Sequence, residues 1–140
     1  MSDEFIVWDD AFSVGHNVID DQHKELAGMI NELTDACKRG DEDAALASKM
    51  VLDRAVAYAK NHFADEEKYM SKASYPGLWD HKKEHQEFMF EVVGHMHEIE
   101  NGTYTPIDFA KFLKSWVLNH IAGSDKKYEP YLKKMDMFRF

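Results

Sequence analysis

His62-Phe63-Ala64-Asp65-Glu66 and His81-Lys82-Lys83-Glu84-His85 flank the linker Ser71-Lys72-Ala73-Ser74-Tyr75-Pro76-Gly77. Each flank carries two metal-ligand side chains four residues apart, and on a helix such residues lie one above the other on one face. Pro76-Gly77 does not readily continue a helix. The reading is therefore two helices folded back on each other, with His62/Glu66 and His81/His85 at the ends nearest the turn.

Working outward, the same pattern recurs. Ile19, His23, Leu26, Ile30, Leu33 and Cys37 are spaced by alternate fours and threes, the seam of a bundle helix. Its start is expected near Asp20 or Asp21, whose carboxylates suit a first turn, and its end at Lys38-Arg39-Gly40-Asp41. A second helix is expected from about Asp41 to Met70, with Leu52, Ala55, Ala59, His62, Glu66 and Tyr69 on its seam. A third runs from about Leu78 to Glu100 through His81, His85, Phe88, Val92, His95 and Ile99, and stops at Asn101-Gly102. Thr105-Pro106 opens a fourth, whose seam is Phe109, Leu113 (or Phe112), Trp116 and His120. Four amphipathic segments with short loops imply an all-α, up-down-up-down antiparallel four-helix bundle.

The ends read differently. Residues 1–18 show no helical period, because Asp9-Asp10 and Gly15 break Phe5, Val7, Trp8, Phe12 and Val14 into short pieces. They are expected to form an N-terminal arm tied down by Trp8 and Phe12. Residues 19–125 would be the bundle and 126–140 a C-terminal segment, in which Pro130 allows only a short helical turn before Phe138-Arg139-Phe140.

A chain of 140 residues suffices for one domain spanning 1–140. With 44% apolar residues it can bury a core, and a formal net charge of −9 argues against nucleic acid or an anionic membrane as partner. Cys37, the single cysteine, precludes an internal disulfide and reads as a small core residue. The acidic start Met1-Ser2-Asp3-Glu4 carries no secretory pattern, and no apolar run is long enough to span a bilayer, so a cytoplasmic location is expected.

In an antiparallel bundle, early in odd helices and late in even ones is the same end. His23, His81 and His85 fall early; His62, Glu66 and His120 fall late, with Asp125 just beyond. His23 lies 16 residues before Arg39, His85 lies 16 before Asn101, and His120 lies 14 after Pro106. These offsets put all three roughly 21–24 Å from the far end. His62, 21 residues after Asp41, needs a longer or tilted second helix. Five imidazoles and two carboxylates buried at one level require compensation, since an unpaired buried charge costs at least several kcal/mol. Seven N/O donors are too many for one tetrahedral zinc and suit two six-coordinate metals. The metalloprotease pattern His-Glu-x-x-His is absent, and histidine outweighs the Glu-x-x-His usage of the ferritin-like oxidases.

The order His23, His62-x-x-x-Glu66, His81-x-x-x-His85, His120-x-x-x-x-Asp125 resembles the hemerythrin family. The opening from Trp8 to His23, with Val14-Gly15, Asp20 and Gln22-His23, is similar to its bacterial members, as is His120-Ile121 followed by Asp125-Lys126-Lys127-Tyr128. The resemblance covers nearly the whole chain. It implies two non-haem irons, one held by His81, His85 and His120 and the other by His23 and His62. Glu66 and Asp125 would bridge them with an oxo or hydroxo group. It implies reversible O2 binding at the iron with fewer histidines, in a carrier, store or local supplier with no catalytic residues, and a protein that receives the O2. The alternatives are a di-iron enzyme acting on peroxide or nitric oxide, and an O2 or iron sensor signalling through the arm or the Phe138–Phe140 tail.

Two local expectations follow. Five residues at about 100° each leave Asp125 roughly 140° from His120 on a regular helix, so a bulge, a tightened turn or a helix end is expected between Ile121 and Asp125, aided by Gly123. Leu26, Ile30, Phe88 and Trp116 are expected to wall the irons from water, and Gly123 to leave an access gap. Asp65 and Glu67 point off the seam and read as a solvated face.

Overall fold

The computed structural model describes residues 6–38 and 42–137. The helix stop at Arg39-Gly40-Asp41, the arm residue Phe5 and the tail Phe138–Phe140 lie outside the described residues. A single 3-10 turn, Asp10–Phe12, precedes α1 (Asn17–Lys38), α2 (Glu42–Lys72), α3 (Leu78–Glu100) and α4 (Pro106–His120). A π turn, Ile121–Asp125, then leads directly into α5 (Lys126–Met137). No strand occurs among the described residues, and none of their helices is long and apolar enough to cross a membrane. The four long helices form the expected bundle.

Local chemistry sets the boundaries. Thr105 caps α4, its hydroxyl accepting from the Asp108 N–H at 3.2 Å, and Pro106 takes the first-turn position where no N–H is needed. α2 is the longest helix at 31 residues, which accommodates the greater distance of His62 from its start.

Three expectations need correction. α1 begins at Asn17, inside the stretch assigned to the arm. Asp20 lies in its first turn, as expected, and also holds the arm: its carboxylate accepts from the Ser13 hydroxyl at 2.6 Å and the Val14 N–H at 2.8 Å. The arm is anchored mainly by Ile6 and Val14, both buried, while Trp8 and Phe12 are only half-buried against each other. Asn31 clamps Ile6 through both backbone groups, at 2.6 and 2.8 Å. Finally, the C-terminal segment is a 12-residue helix containing Pro130. Proline inside a helix costs about 3 kcal/mol. Full burial of Tyr128 and Leu132 offsets this, at about 1.5–3 kcal/mol for each large side chain.

The core is divided in two. The larger cluster includes Leu26, Ala59, Phe63, Phe88, Val92, Leu113 and Val117. The smaller contains Val14, Ile19, Met70, Tyr128 and Leu132. Ile19 and Leu26 lie one turn either side of His23; Met70 and Phe63 do the same around Glu66. Leu78 and Phe88 flank the His81/His85 pair. One polar level is thus sealed above and below by hydrocarbon.

Candidate metal centre

That level holds His23, His62, Glu66, His81, His85, His120 and Asp125, all buried, with Glu66 and Asp125 at 0% exposure. Each helix contributes because the seam positions predicted from spacing do face inward. Their donor atoms fall into two groups that could each hold an ion: Glu66, His81, His85, His120 and Asp125, and His23, His62 and Glu66.

The carboxylates join the groups. Glu66 Oε1 lies 3.0 Å from both His81 Nε2 and His85 Nε2, and 3.9 Å from His120 Nε2. Its other oxygen, Oε2, lies 3.3 Å from His23 Nε2 and 3.3 Å from His62 Nε2. Asp125 divides likewise: Oδ1 is 2.9 Å from His81 Nε2 and 3.1 Å from His120 Nε2, and Oδ2 is 3.2 Å from His23 Nε2. Each carboxylate therefore offers one oxygen to a three-histidine group and one to a two-histidine group.

The outer nitrogens fix which ring nitrogen carries the lone pair. His85 Nδ1 donates to Glu67 Oε2 at 2.8 Å, His120 Nδ1 to Glu84 Oε2 at 3.0 Å, and His62 Nδ1 to Gln22 Oε1 at 2.7 Å. Ser124 donates to Glu84 at 2.6 Å, and Gln22 to Asp65 at 2.9 Å. With Nδ1 protonated, the Nε2 lone pairs converge. His120 Nε2 sits 3.1 Å from the Nε2 atoms of both His81 and His85. Lone pairs so close repel unless a cation lies among them. Two donors about 2.1 Å from an ion and at right angles are about 3.0 Å apart, so the observed spacing fits an octahedral ion. Neither Asp125 oxygen, though crowded by imidazoles, has a hydrogen bond of acceptable geometry. A buried carboxylate in that condition fits a cation ligand better than a hydrogen-bond acceptor.

Glu67, Glu84, Gln22 and Tyr128 were not assigned roles from sequence, and Glu67 had been read as solvated. The usable signal was chemical: a ligating histidine needs an acceptor for its other N–H. Gln22 beside His23 and Glu84 beside His85 were visible candidates, but each serves a histidine on another helix. Tyr128 donates to Glu66 Oε2 at 2.9 Å from full burial. The expected bulge is present as the π turn at 121–125, which carries Asp125 back over His120. Gly123 is exposed, and a Cβ there would meet nothing within 4 Å. Leu26, Ile30 and Phe88 form the expected apolar wall around a cavity of about 20 Å³. Trp116 is only half-buried and fronts a separate, open groove.

With no cation present, the charges of His23, His81, His120, Glu66 and Asp125 depend on one another. Burial opposes charge on His23, His81 and His120, yet contacts with Asp125 and Glu66 raise them to about 9, 9 and 10. Burial also opposes ionisation of Glu66 and Asp125, but their imidazole contacts hold both well below the usual carboxylate range. The raised histidines stabilise the fold fully below about pH 6.5, their unfolded value, and lose that contribution as pH rises through 9–10. The depressed carboxylates contribute above about pH 4 and lose it in stronger acid. Thermal melts of chelator-stripped protein should therefore be highest between about pH 4 and 6.5 and fall as pH rises from there to 9–10. A melting temperature that climbs between about pH 6.5 and 9 would contradict the pairing.

Residues 14–132 match the Hemerythrin HHE cation binding domain. The chain is 34% identical over 128 residues to the Bacteriohemerythrin of Stenotrophomonas maltophilia, covering 91% of this chain and 82% of that protein. It is 33% identical to the Myohemerythrin of Riftia pachyptila, covering 88% and 90%. A solved wild-type hemerythrin superposes with a TM-score of 0.83 at 30% identity, covering 91% of this chain and 98% of that one.

Proposed function

The chain belongs to the hemerythrin family, and from that premise we propose that it binds O2 reversibly at a non-haem di-iron centre. One observation carries the reading. Glu66 turns one oxygen toward His81, His85 and His120 and the other toward His23 and His62, and Asp125 turns one oxygen toward His81 and His120 and the other toward His23. A pair of bridged, unequally ligated ions is what that arrangement suits. His81, His85 and His120 would hold one iron and His23 and His62 the other, with the carboxylates and a solvent-derived oxygen shared. Two ferrous ions, held there, would supply the electrons that O2 binding draws on. The protein's part is to hold the imidazoles by their Nδ1 protons, keep bulk water out, and line the approach with apolar side chains. In this reading the chain is a carrier, store or local supplier, not an enzyme, and hands O2 to a protein receiver.

The reading is tested by metal analysis and spectroscopy. Protein from iron-replete cells should contain two irons per chain. The reduced protein should gain a visible band in air and lose it under argon. Zinc alone, or irreversible oxidation with product formation, would defeat it.

The ligand count locates the open position. Two octahedral irons offer about twelve positions. Five histidines, two carboxylates shared between the irons and one solvent-derived oxygen would take all but one, and the vacancy would fall to the iron of His23 and His62. Azide added to the diferric protein should coordinate there. Azide on the iron of His81, His85 and His120, with the other already six-coordinate, would reverse the assignment.

A further inference from the structure

Between α3 and α4 lies an open groove of about 420 Å³, lined by Glu84, Glu87 and Glu91 on one side and by Phe112, Trp116 and Asn119 on the other. Trp116 forms part of its wall and is half-buried. Its indole stacks on the His120 imidazole at 4.3 Å between centroids and 13° between planes. It also stacks on Phe88 at 4.0 Å and 26°. The groove thus reaches a candidate ligand: the buried His120 is itself part of the lining, with Trp116 stacked on it. Phe63 on His85 and Tyr128 beside His81 are buried, so Trp116 is the ring against a candidate ligand that fronts this groove.

We propose that this groove is an electron port: a positively charged one-electron donor docks against Glu87 and Glu91 and passes its electron through Trp116 and His120 to the iron. The inference rests on the di-iron reading above. Loss of bound O2 as hydrogen peroxide would leave both irons ferric, and an O2 binder in that state stays inactive until electrons arrive from outside. Each transfer oxidises the donor by one electron and reduces one ferric ion to ferrous, and two transfers restore the pair. The donor's charge follows from the lining. Three carboxylates and no lysine or arginine line the groove, its one imidazole, His120, is paired with Glu84, and Glu87 and Glu91 are exposed without an ion pair among the described residues. A cleft lined by one sign of charge concentrates the opposite sign and speeds its encounter.

The test uses the iron-loaded, diferric protein in stopped flow, with hexaammineruthenium(II) as cationic reductant and dithionite as anionic one. Glu87→Gln with Glu91→Gln should slow the ruthenium reaction about fivefold at low salt and flatten its ionic-strength dependence, leaving dithionite no slower. Removing equal charge from the other side of the bundle, by Asp35→Asn with Asp53→Asn, should change the ruthenium rate far less. Trp116→Leu should slow ruthenium reduction at least tenfold at unchanged iron content, and Trp116→Phe should recover most of the rate. In crystals of the loaded protein soaked with hexaammineruthenium(III), the anomalous signal should lie beside Glu87 and Glu91. Wild-type rates and salt dependence in the double glutamine variant, in protein that holds two irons and binds O2, would overturn the port alone. Failure of the wild-type chain to load iron would overturn the port together with the function beneath it.

Discussion

Glu66→Ala will leave the chain unable to hold two irons. Glu66 is the one side chain common to both donor groups. Its two oxygens lie within 3.3 Å of His81, His85, His23 and His62. Losing a residue that only orients a ligand typically costs 10–100-fold in metal affinity, and a shared ligand should cost more at both ions. Iron per purified chain should fall from two to one or none, and the visible spectrum should vanish. The metal-free protein should suffer as well. Without Glu66, the charge on His23 and His81 is balanced only by Asp125 and that on His120 by Asp125 and Glu84, and unpairing a buried ion costs about 3–5 kcal/mol unless the imidazoles give up protons. The variant's histidines should therefore titrate lower than the wild type's. Two tightly held irons in Glu66→Ala would show that Asp125 and the histidines alone define the centre.

Where spacing and side-chain type carry the information, the sequence was enough. His62-x-x-x-Glu66 and His81-x-x-x-His85 can face one way only on a helix, and the short loops left only one end of the bundle at which the imidazoles could meet. The interruption before Asp125 was legible for the same reason, because five residues cannot close a regular turn. What escaped was decided across helices. Glu67 points off its own seam, but α3 places His85 Nδ1 beside it. Pro130 argued locally for a short end, while the burial of Tyr128 and Leu132 against Val14, Ile19 and Met70 supports a longer helix. Asp20 sits in the first turn and also accepts from the arm, six and seven residues before it. For Glu67 and Pro130 a contact distant in sequence prevails over a local preference of a few kcal/mol at most.

The π turn gives the second large effect, and its sign depends on whether a residue is added or removed. In an α-helix the residue above position i is i+4; in a π turn it is i+5. The stretch Ile121–Asp125 is therefore the device by which a five-residue spacing puts Asp125 over His120, with Oδ1 3.1 Å from its Nε2. Deleting Gly123 shortens the spacing to four, which an ordinary α-turn brings to the same face. Gly123 is exposed and touches nothing that its loss would expose. Tyr128 and Leu132 follow Asp125 at unchanged intervals, so they keep their places. The deletion variant should hold two irons, with a modest change in melting temperature. Inserting one alanine after Gly123 should do the opposite. A spacing of six closes neither turn, and one extra residue swings Asp125 by about 100°. Asp125 then leaves the irons, Tyr128 leaves Glu66, and Leu132 leaves the small core, so the insertion should lose iron and most of α5's packing. Iron content and circular dichroism of the two variants decide the matter. If deletion and insertion were equally damaging, the turn would be needed for its own shape and not for the register it gives Asp125.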